Sequence, residues 1–185
     1  MNAHYTEKLN NLIYNQVLKF KSFFIATVLL FFTTSCGFYS FTGASIPAGT
    51  KTFQVNFFQN NAPLVEPGLD IEFTNTLQDL LLNQTSLDLV KSGGNLIYEG
   101  EIVEYRIAPT TATAQNTAAQ NRLTIGVNVR FFNTLNPEDD LEQRFNFFYD
   151  YEGSAQLLGS VKATAVEEIF ERITQDIFNA TLAKW

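Results

Sequence analysis

The chain has 185 residues with a formal net charge of -7, 45% hydrophobic and 17% charged residues, one His, one Cys and one Trp. That length and balance suit one globular domain with a real core, and the acidic charge argues against a nucleic-acid partner, which needs a basic face. A single cysteine excludes an internal disulfide, a CxxC redox pair and cysteine-rich zinc sites.

In chain order, Lys8, Lys19 and Lys21 precede the apolar run Phe23–Phe32, followed by Thr33-Thr34-Ser35 and Cys36. A basic stretch, about ten apolar residues and small residues before a cut site make a secretory signal over residues 1–35. The run is too short to span a bilayer, which takes roughly 20 apolar residues. Small residues directly before Cys resemble a bacterial lipobox, with Thr33 standing where Leu is commonest. The resemblance implies that Cys36 receives a diacylglycerol and that the chain is cut before it. Each acyl chain contributes about 0.8 kcal/mol per buried methylene, so two or more hold the protein on a membrane. The mature chain of 150 residues would lose His4 and a net +2, leaving -9.

Residues 36–50 read as an uncharged tether, with a short strand around Tyr39–Ser45, and residues 51–185 as the folded domain. Lys51–Phe58 alternates, with Phe53, Val55 and Phe57 sharing one face of a strand. Pro67 introduces a helix whose Leu69, Phe73, Leu77, Leu80 and Leu81 make one apolar stripe, with Asp70 and Glu72 in its first turn. Three strands follow. Leu96–Ala108 is extended, with blurred alternation at Glu99-Gly100-Glu101 that predicts a bulge. Leu123–Phe131 and Phe145–Tyr151 alternate cleanly, and Asn136-Pro137-Glu138-Asp139-Asp140 joins them as a turn. Pro109–Asn121, uncharged and aperiodic, predicts a mobile loop or hairpin tip. Val161–Trp185 forms the second helix, with Val166, Ile169, Phe170, Ile173 and Ile177 on its apolar face. The order β-α-β-β-β-α gives an α+β fold, two helices packed on one face of a roughly four-stranded, mostly antiparallel sheet.

No catalytic constellation is present. Glu99 and Glu101 share a strand face, as a carboxylate pair would, but a solvated edge explains them as well. The Glu138-Asp139-Asp140 turn lacks calcium-loop spacing, and no cofactor or metal is expected. The more informative feature is the sheet face opposite the helices. If Leu123, Ile125, Val127 and Phe131 face the helices, then Arg122, Arg130, Phe132, Arg144, Asn146 and Phe148 face away. Interspersed Arg and Phe suit a glycolipid phosphate, a protein contact, or a plain solvent face balanced by Glu142 and Asp150.

The Cys36-Gly37-Phe38-Tyr39-Ser40-Phe41-Thr42-Gly43 start, the FQVNFFQNNAPLVEPGL segment, NRLTIGVNVRFFNT with EDDLEQRFNFFYDYEG, and the closing AVEEIFERITQDIFNATLAKW together resemble the LptE lipopolysaccharide-assembly lipoproteins in their Bacteroidetes form. The resemblance covers essentially all of residues 36–185. It implies a non-enzymatic outer-membrane lipoprotein on the periplasmic side, anchored at Cys36, that plugs an LptD-type β-barrel, helps assemble it and contacts lipopolysaccharide. A basic lipopolysaccharide-contacting patch is known in the family; Arg122, Arg130 and Arg144, with Phe132 and Phe148, are this chain's own candidates. Gly37 and Phe38 after the anchor, with neither an Asp nor an acidic run, fit the periplasmic side. The alternative is an auxiliary lipoprotein of a lipid ABC transporter or a cell-envelope scaffold.

Overall fold

The computed structural model describes residues 46–110, 120–153 and 155–183. The export signal, Cys36, most of the tether and loop residues 111–119 lie outside the described residues. Among the described residues six strands, two helices and one 3-10 turn follow in the order β1 (Thr52–Val55), β2 (Gln59–Asn60), α1 (Leu69–Gln84), β3 (Asp88–Leu89), β4 (Leu96–Thr110), β5 (Gln120–Asn133), the turn Pro137–Asp139, β6 (Leu141–Glu152) and α2 (Gly159–Leu182). They form one mixed sheet in the order β3-β1-β4-β5-β6, with β2 also paired to β4.

The α+β expectation holds, with two short strands more than the sequence announces. The β4-β5-β6 meander is antiparallel, whereas β1 and β2 lie parallel to β4, and β3 lies parallel to β1. Parallel pairing at this end follows from connectivity. The chain must return through α1 before it enters β4, and that crossover carries it back in the same direction.

Lys51–Phe58 is not one continuous strand. Phe53 and Val55 point into the core, but the ladder breaks after Val55, and Phe58 is fully buried while Phe57 is 53% exposed. A one-residue slip moves every later side chain to the other face. Here it delivers Phe58 to Phe73 of α1, ring centroids 5.1 Å apart and edge-on, and Phe73 meets Phe170 of α2 in the same way at 5.1 Å. The three rings tie the sheet to both helices, each contact adding roughly 1 kcal/mol beyond area burial.

Helix α1 starts after Gly68, whose φ of 88° is in the left-handed region, and Thr85 closes it by returning its N–H and hydroxyl to the Leu81 carbonyl. Helix α2 buries Val166, Ile169, Phe170, Ile173 and Ile177, the stripe expected from its spacing. Both helices cover the same sheet face, where Leu96, Tyr98, Ile102, Leu123, Ile125, Val127 and Phe131 complete the core. Tyr98 brings its hydroxyl into this core and shares a 3.1 Å hydrogen bond with Thr181. Among the described residues no helix is long and apolar enough to cross a membrane.

Candidate functional site

Alternation along β4, β5 and β6 sends every second side chain away from the helices, and ladder register decides which of these meet. Opposite one another on this open face stand Glu99 and Arg130, Glu101 and Asn128, Arg122 and Asp150, and Asn128 and Arg144. All five sequence candidates, Arg122, Arg130, Arg144, Phe132 and Phe148, lie on it. The two phenylalanines are 37% and 42% exposed.

Each arginine is held by carboxylates. Arg122 donates through Nε and Nη2 to the two oxygens of Asp150 at 2.7 and 2.8 Å, and its guanidinium sits 3.6 Å from the centroid of the Phe148 ring. The hydrogen bonds from Arg122 hold the Asp150 carboxyl below the usual carboxylate range and keep the guanidinium firmly charged. Arg130 donates to Glu99 at 3.0 Å and lies 3.7 Å from Glu101, so the two glutamates that resembled a catalytic pair are arginine and amide acceptors. Asn56 of the neighbouring segment donates to the second oxygen of Glu99.

Glu99-Gly100-Glu101, where the bulge was expected, stays in register; the bulge falls just beyond, between Ile102 and Glu104, and it turns Glu104 onto the open face. There Glu104 accepts from Arg106 on its own strand at 2.9 Å and from Arg144, two strands away, at 2.6 Å. Arg144 reaches across β5 because residue 126 is glycine. A Cβ at Gly126 would lie 3.1 Å from Arg144 Nη2 and 3.2 Å from the Cβ of Glu104. The crossing is invisible in the sequence, where Arg144 and Glu104 are 40 residues apart; only the ladder register brings them together.

Six carboxylates (Glu99, Glu101, Glu104, Glu142, Asp150 and Glu152) share this face with four guanidiniums, Arg106, Arg122, Arg130 and Arg144. The face is therefore polar, internally paired and free of net positive charge. On the other side of the molecule a groove of about 1060 Å³ beside the two helices is lined by Glu72, Asp79, Glu167, Glu168 and Glu171 among others. Burial, and next the charge of Glu167, raise the Glu72 carboxyl above its ordinary value.

No curated protein sequence matches the chain. Similar solved structures include the hypothetical protein CT253 from Chlamydia trachomatis, with TM-score 0.51 and 13% identity over 74% of this chain and 100% of that one. A minor lipoprotein from Acinetobacter baumannii shows TM-score 0.46 and 12% identity, covering 70% of this chain and 91% of that one. An uncharacterized lipoprotein B from Nitrosomonas europaea shows TM-score 0.44 and 13% identity, covering 77% and 88%. At such identities the likeness concerns the fold alone. The family model for LptE, described as lipopolysaccharide-assembly, matches residues 50–181, from the turn before β1 to the last turn of α2. The chain belongs to the LptE lipopolysaccharide-assembly family, whose members are lipoproteins rather than enzymes.

Proposed function

We propose that the protein is an outer-membrane lipoprotein on the periplasmic side that assists lipopolysaccharide transport as plug and assembly partner of an LptD-type β-barrel. Residues 1–35 act as the export signal, and Cys36 carries the acyl anchor. The observation that carries this reading is the family match across the whole two-layer domain. Among the described residues that architecture leaves one broad sheet face uncovered, and the paired arginines with Phe132 and Phe148 on it are the proposed contact surface. A flat face of paired charges and exposed aromatic rings suits a polar protein wall, where arginine and aromatic side chains are enriched. Lipopolysaccharide phosphates would meet the same guanidiniums only by displacing carboxylates already bound to them.

Affinity purification of the native protein from gently solubilised outer membranes tests the proposal. A β-barrel of much larger mass should copurify, and depletion of the protein should reduce lipopolysaccharide export. Substituting Phe132 and Phe148 with Ser should weaken recovery of the barrel without unfolding the domain. Recovery of the protein with an ABC permease, or alone with lipopolysaccharide export unchanged, overturns it.

A further inference from the structure

One side of the sheet ends in a long stretch of unpaired main chain. β6 runs from Leu141 to Glu152 without proline, lysine or any register shift against β5, and among the described residues nothing pairs with its outer side. The opposite edge, β3, is two residues long. Long regular edges are templates for another strand, and folded proteins usually shorten, bulge or cover them.

Hydrogen-bond parity identifies which β6 groups lie open. A residue in a strand directs its N–H and C=O to one side, and its neighbour directs them to the other. Asn56 and Asn61 donate to the carbonyls of Tyr98 and Ile102, and Thr134 donates to that of Asn95. Up to the bulge, even-numbered residues of β4 therefore face β1 and β2, and odd-numbered ones face β5. Carried through the two ladders, odd residues of β6 bond to β5. Its even residues, from Glu142 to Glu152, direct six N–H and six C=O groups outward. A row of alternating donors and acceptors at this spacing is matched by another main chain, not by lipid tails or by a wall of side chains.

We propose that the outer edge of β6 is a β-augmentation site, where an extended segment of a partner protein, about ten residues long, adds a strand to the sheet. The side chains of β6 define the chemistry of that segment. On the open face Arg144 is held by Glu104 and Asp150 by Arg122, whose guanidinium also lies over Phe148. Glu142 and Glu152, at the two ends, form no salt bridge among the described residues. The segment therefore carries Lys or Arg toward both ends of its open-face row and neutral residues between them. On the helix side Phe147 and Tyr149 are half-buried, and Phe147 lies in the groove that Glu168 and Glu171 of α2 also line. Opposite those rings the segment presents apolar or aromatic residues. A second copy of the chain does not fit, because antiparallel pairing centred on Phe147 sets Glu142 against Glu152 at both ends. The site lies beside the open-face contact of the proposed function, not on it.

A photo-reactive amino acid in place of Phe147, in the full chain in cell membranes, tests this inference, which does not rest on the barrel reading. Irradiation should join the protein to one other protein, and mass spectrometry of the joined peptide should find alternate apolar residues flanked by Lys or Arg. Asn146→Pro removes one outward N–H while leaving the bonds to β5, so it should abolish the cross-link. Asn146→Ala keeps the N–H and should retain it, and circular dichroism should show both variants folded. If the proline variant unfolds, Glu142→Lys with Glu152→Lys carries the test instead and should lower cross-linking about fivefold. Amide exchange separates strand addition from side-chain docking. The N–H groups of Arg144, Asn146, Phe148 and Asp150 should exchange at least roughly tenfold more slowly in the purified complex than in the isolated protein. The inference is overturned by a cross-link that survives Asn146→Pro in a folded protein, by unchanged amide exchange, or by a joined segment without Lys or Arg. It is overturned equally by a product of twice the monomer mass, by a link within the chain, by a link to lipid alone, or by no link at all. A partner other than a β-barrel, joined through a segment of the stated chemistry, supports the inference and speaks against the barrel reading.

Discussion

Gly100 and Gly126 sit on adjacent strands, and the same Gly→Ala change should have different consequences at each. A Cβ at Gly100 would collide with the carbonyl oxygen of Asn128 on β5 and lie 2.7 Å from the Phe58 ring. The first obstacle is backbone, fixed by the β4–β5 ladder on both sides. The second is a fully buried ring wedged against Phe73. Neither can retreat without opening the sheet or the aromatic chain, so the upper end of the overpacking range applies, about 3 kcal/mol. At Gly126 the nearest atoms are Nη2 of Arg144 at 3.1 Å, the end of a long side chain that is half exposed, and the Cβ of Glu104 at 3.2 Å, with no backbone in the way. The guanidinium can shift by a few tenths of an ångström, and Ala is a better strand residue than Gly, so the change should stay within about 0.5 kcal/mol of neutral. For a domain of this size the difference corresponds to roughly 6–12 °C in Tm. Thermal and urea unfolding followed by circular dichroism measure both. A double-mutant cycle with Phe58→Ala separates the two obstacles at Gly100: because the carbonyl remains, removing the ring should recover less than half of the loss. Equal effects at the two glycines, or full rescue by Phe58→Ala, would refute the reasoning.

Phe58→Ala should cost about 3–5 kcal/mol and Phe57→Ala less than about 1 kcal/mol, measured by urea unfolding; the reverse order would mean that the strand continues unbroken through residue 58. Burial pushes the Tyr105 phenol up to about 12 and the Tyr98 phenol further still, while both ionise near 10 in an unfolded chain. Stability from these protonated phenols is complete below pH 10 and is lost as pH rises above it, because the unfolded state releases its protons first. The urea midpoint should fall between pH 10 and 12, and absorbance titration of the folded protein should show two late-ionising tyrosines. Cys36→Ala should abolish incorporation of labelled palmitate and leave the chain unprocessed or released from membranes; persistent acylation would assign the anchor elsewhere.

Both helices, the β4-β5-β6 meander, the bulge near Glu101 and the outward placement of Arg122, Arg130 and Arg144 are legible in the sequence, because each rests on periodicity sustained over many residues. β2 and β3 are two residues long, and no periodicity can announce them. Phe57 and Phe58 show a different limit. Adjacent phenylalanines fit either face, and the ladder break that selects Phe58 depends on where Phe73 and Gly100 are waiting. The pairing of Arg144 with Glu104 depends on a register shift, a glycine and two separate ladders together. Sequence spacing identified the outward arginines and named Asp150 and Glu142 as balancing acids, but it did not show that Glu99, Glu101 and Glu104 hold Arg130 and Arg144.

That neutralisation bears on what the open face can bind. Ion pairs at this degree of exposure add little stability, about 0–1 kcal/mol each, so folding energy alone does not account for four arginines and six carboxylates in one layer. Their larger effect is electrostatic: each guanidinium is already engaged, and the surplus acid repels phosphate at a distance. Removing the acids while keeping the arginines should reverse this. Glu104→Gln frees Arg106 and Arg144 together, and adding Glu99→Gln and Glu101→Gln frees Arg130. The triple variant should lose no more than about 2 kcal/mol of stability, yet bind solubilised lipopolysaccharide more tightly by roughly tenfold for each arginine that reaches a phosphate. The gain should shrink as ionic strength rises, because newly exposed charges are screened where buried pairs are not. If the wild type binds lipopolysaccharide as tightly as the variant, with the same salt dependence, the carboxylates do not guard the arginines. The face would then have to recognise the lipid through its sugars and acyl chains, with Phe132 and Phe148 as the contacts to substitute next.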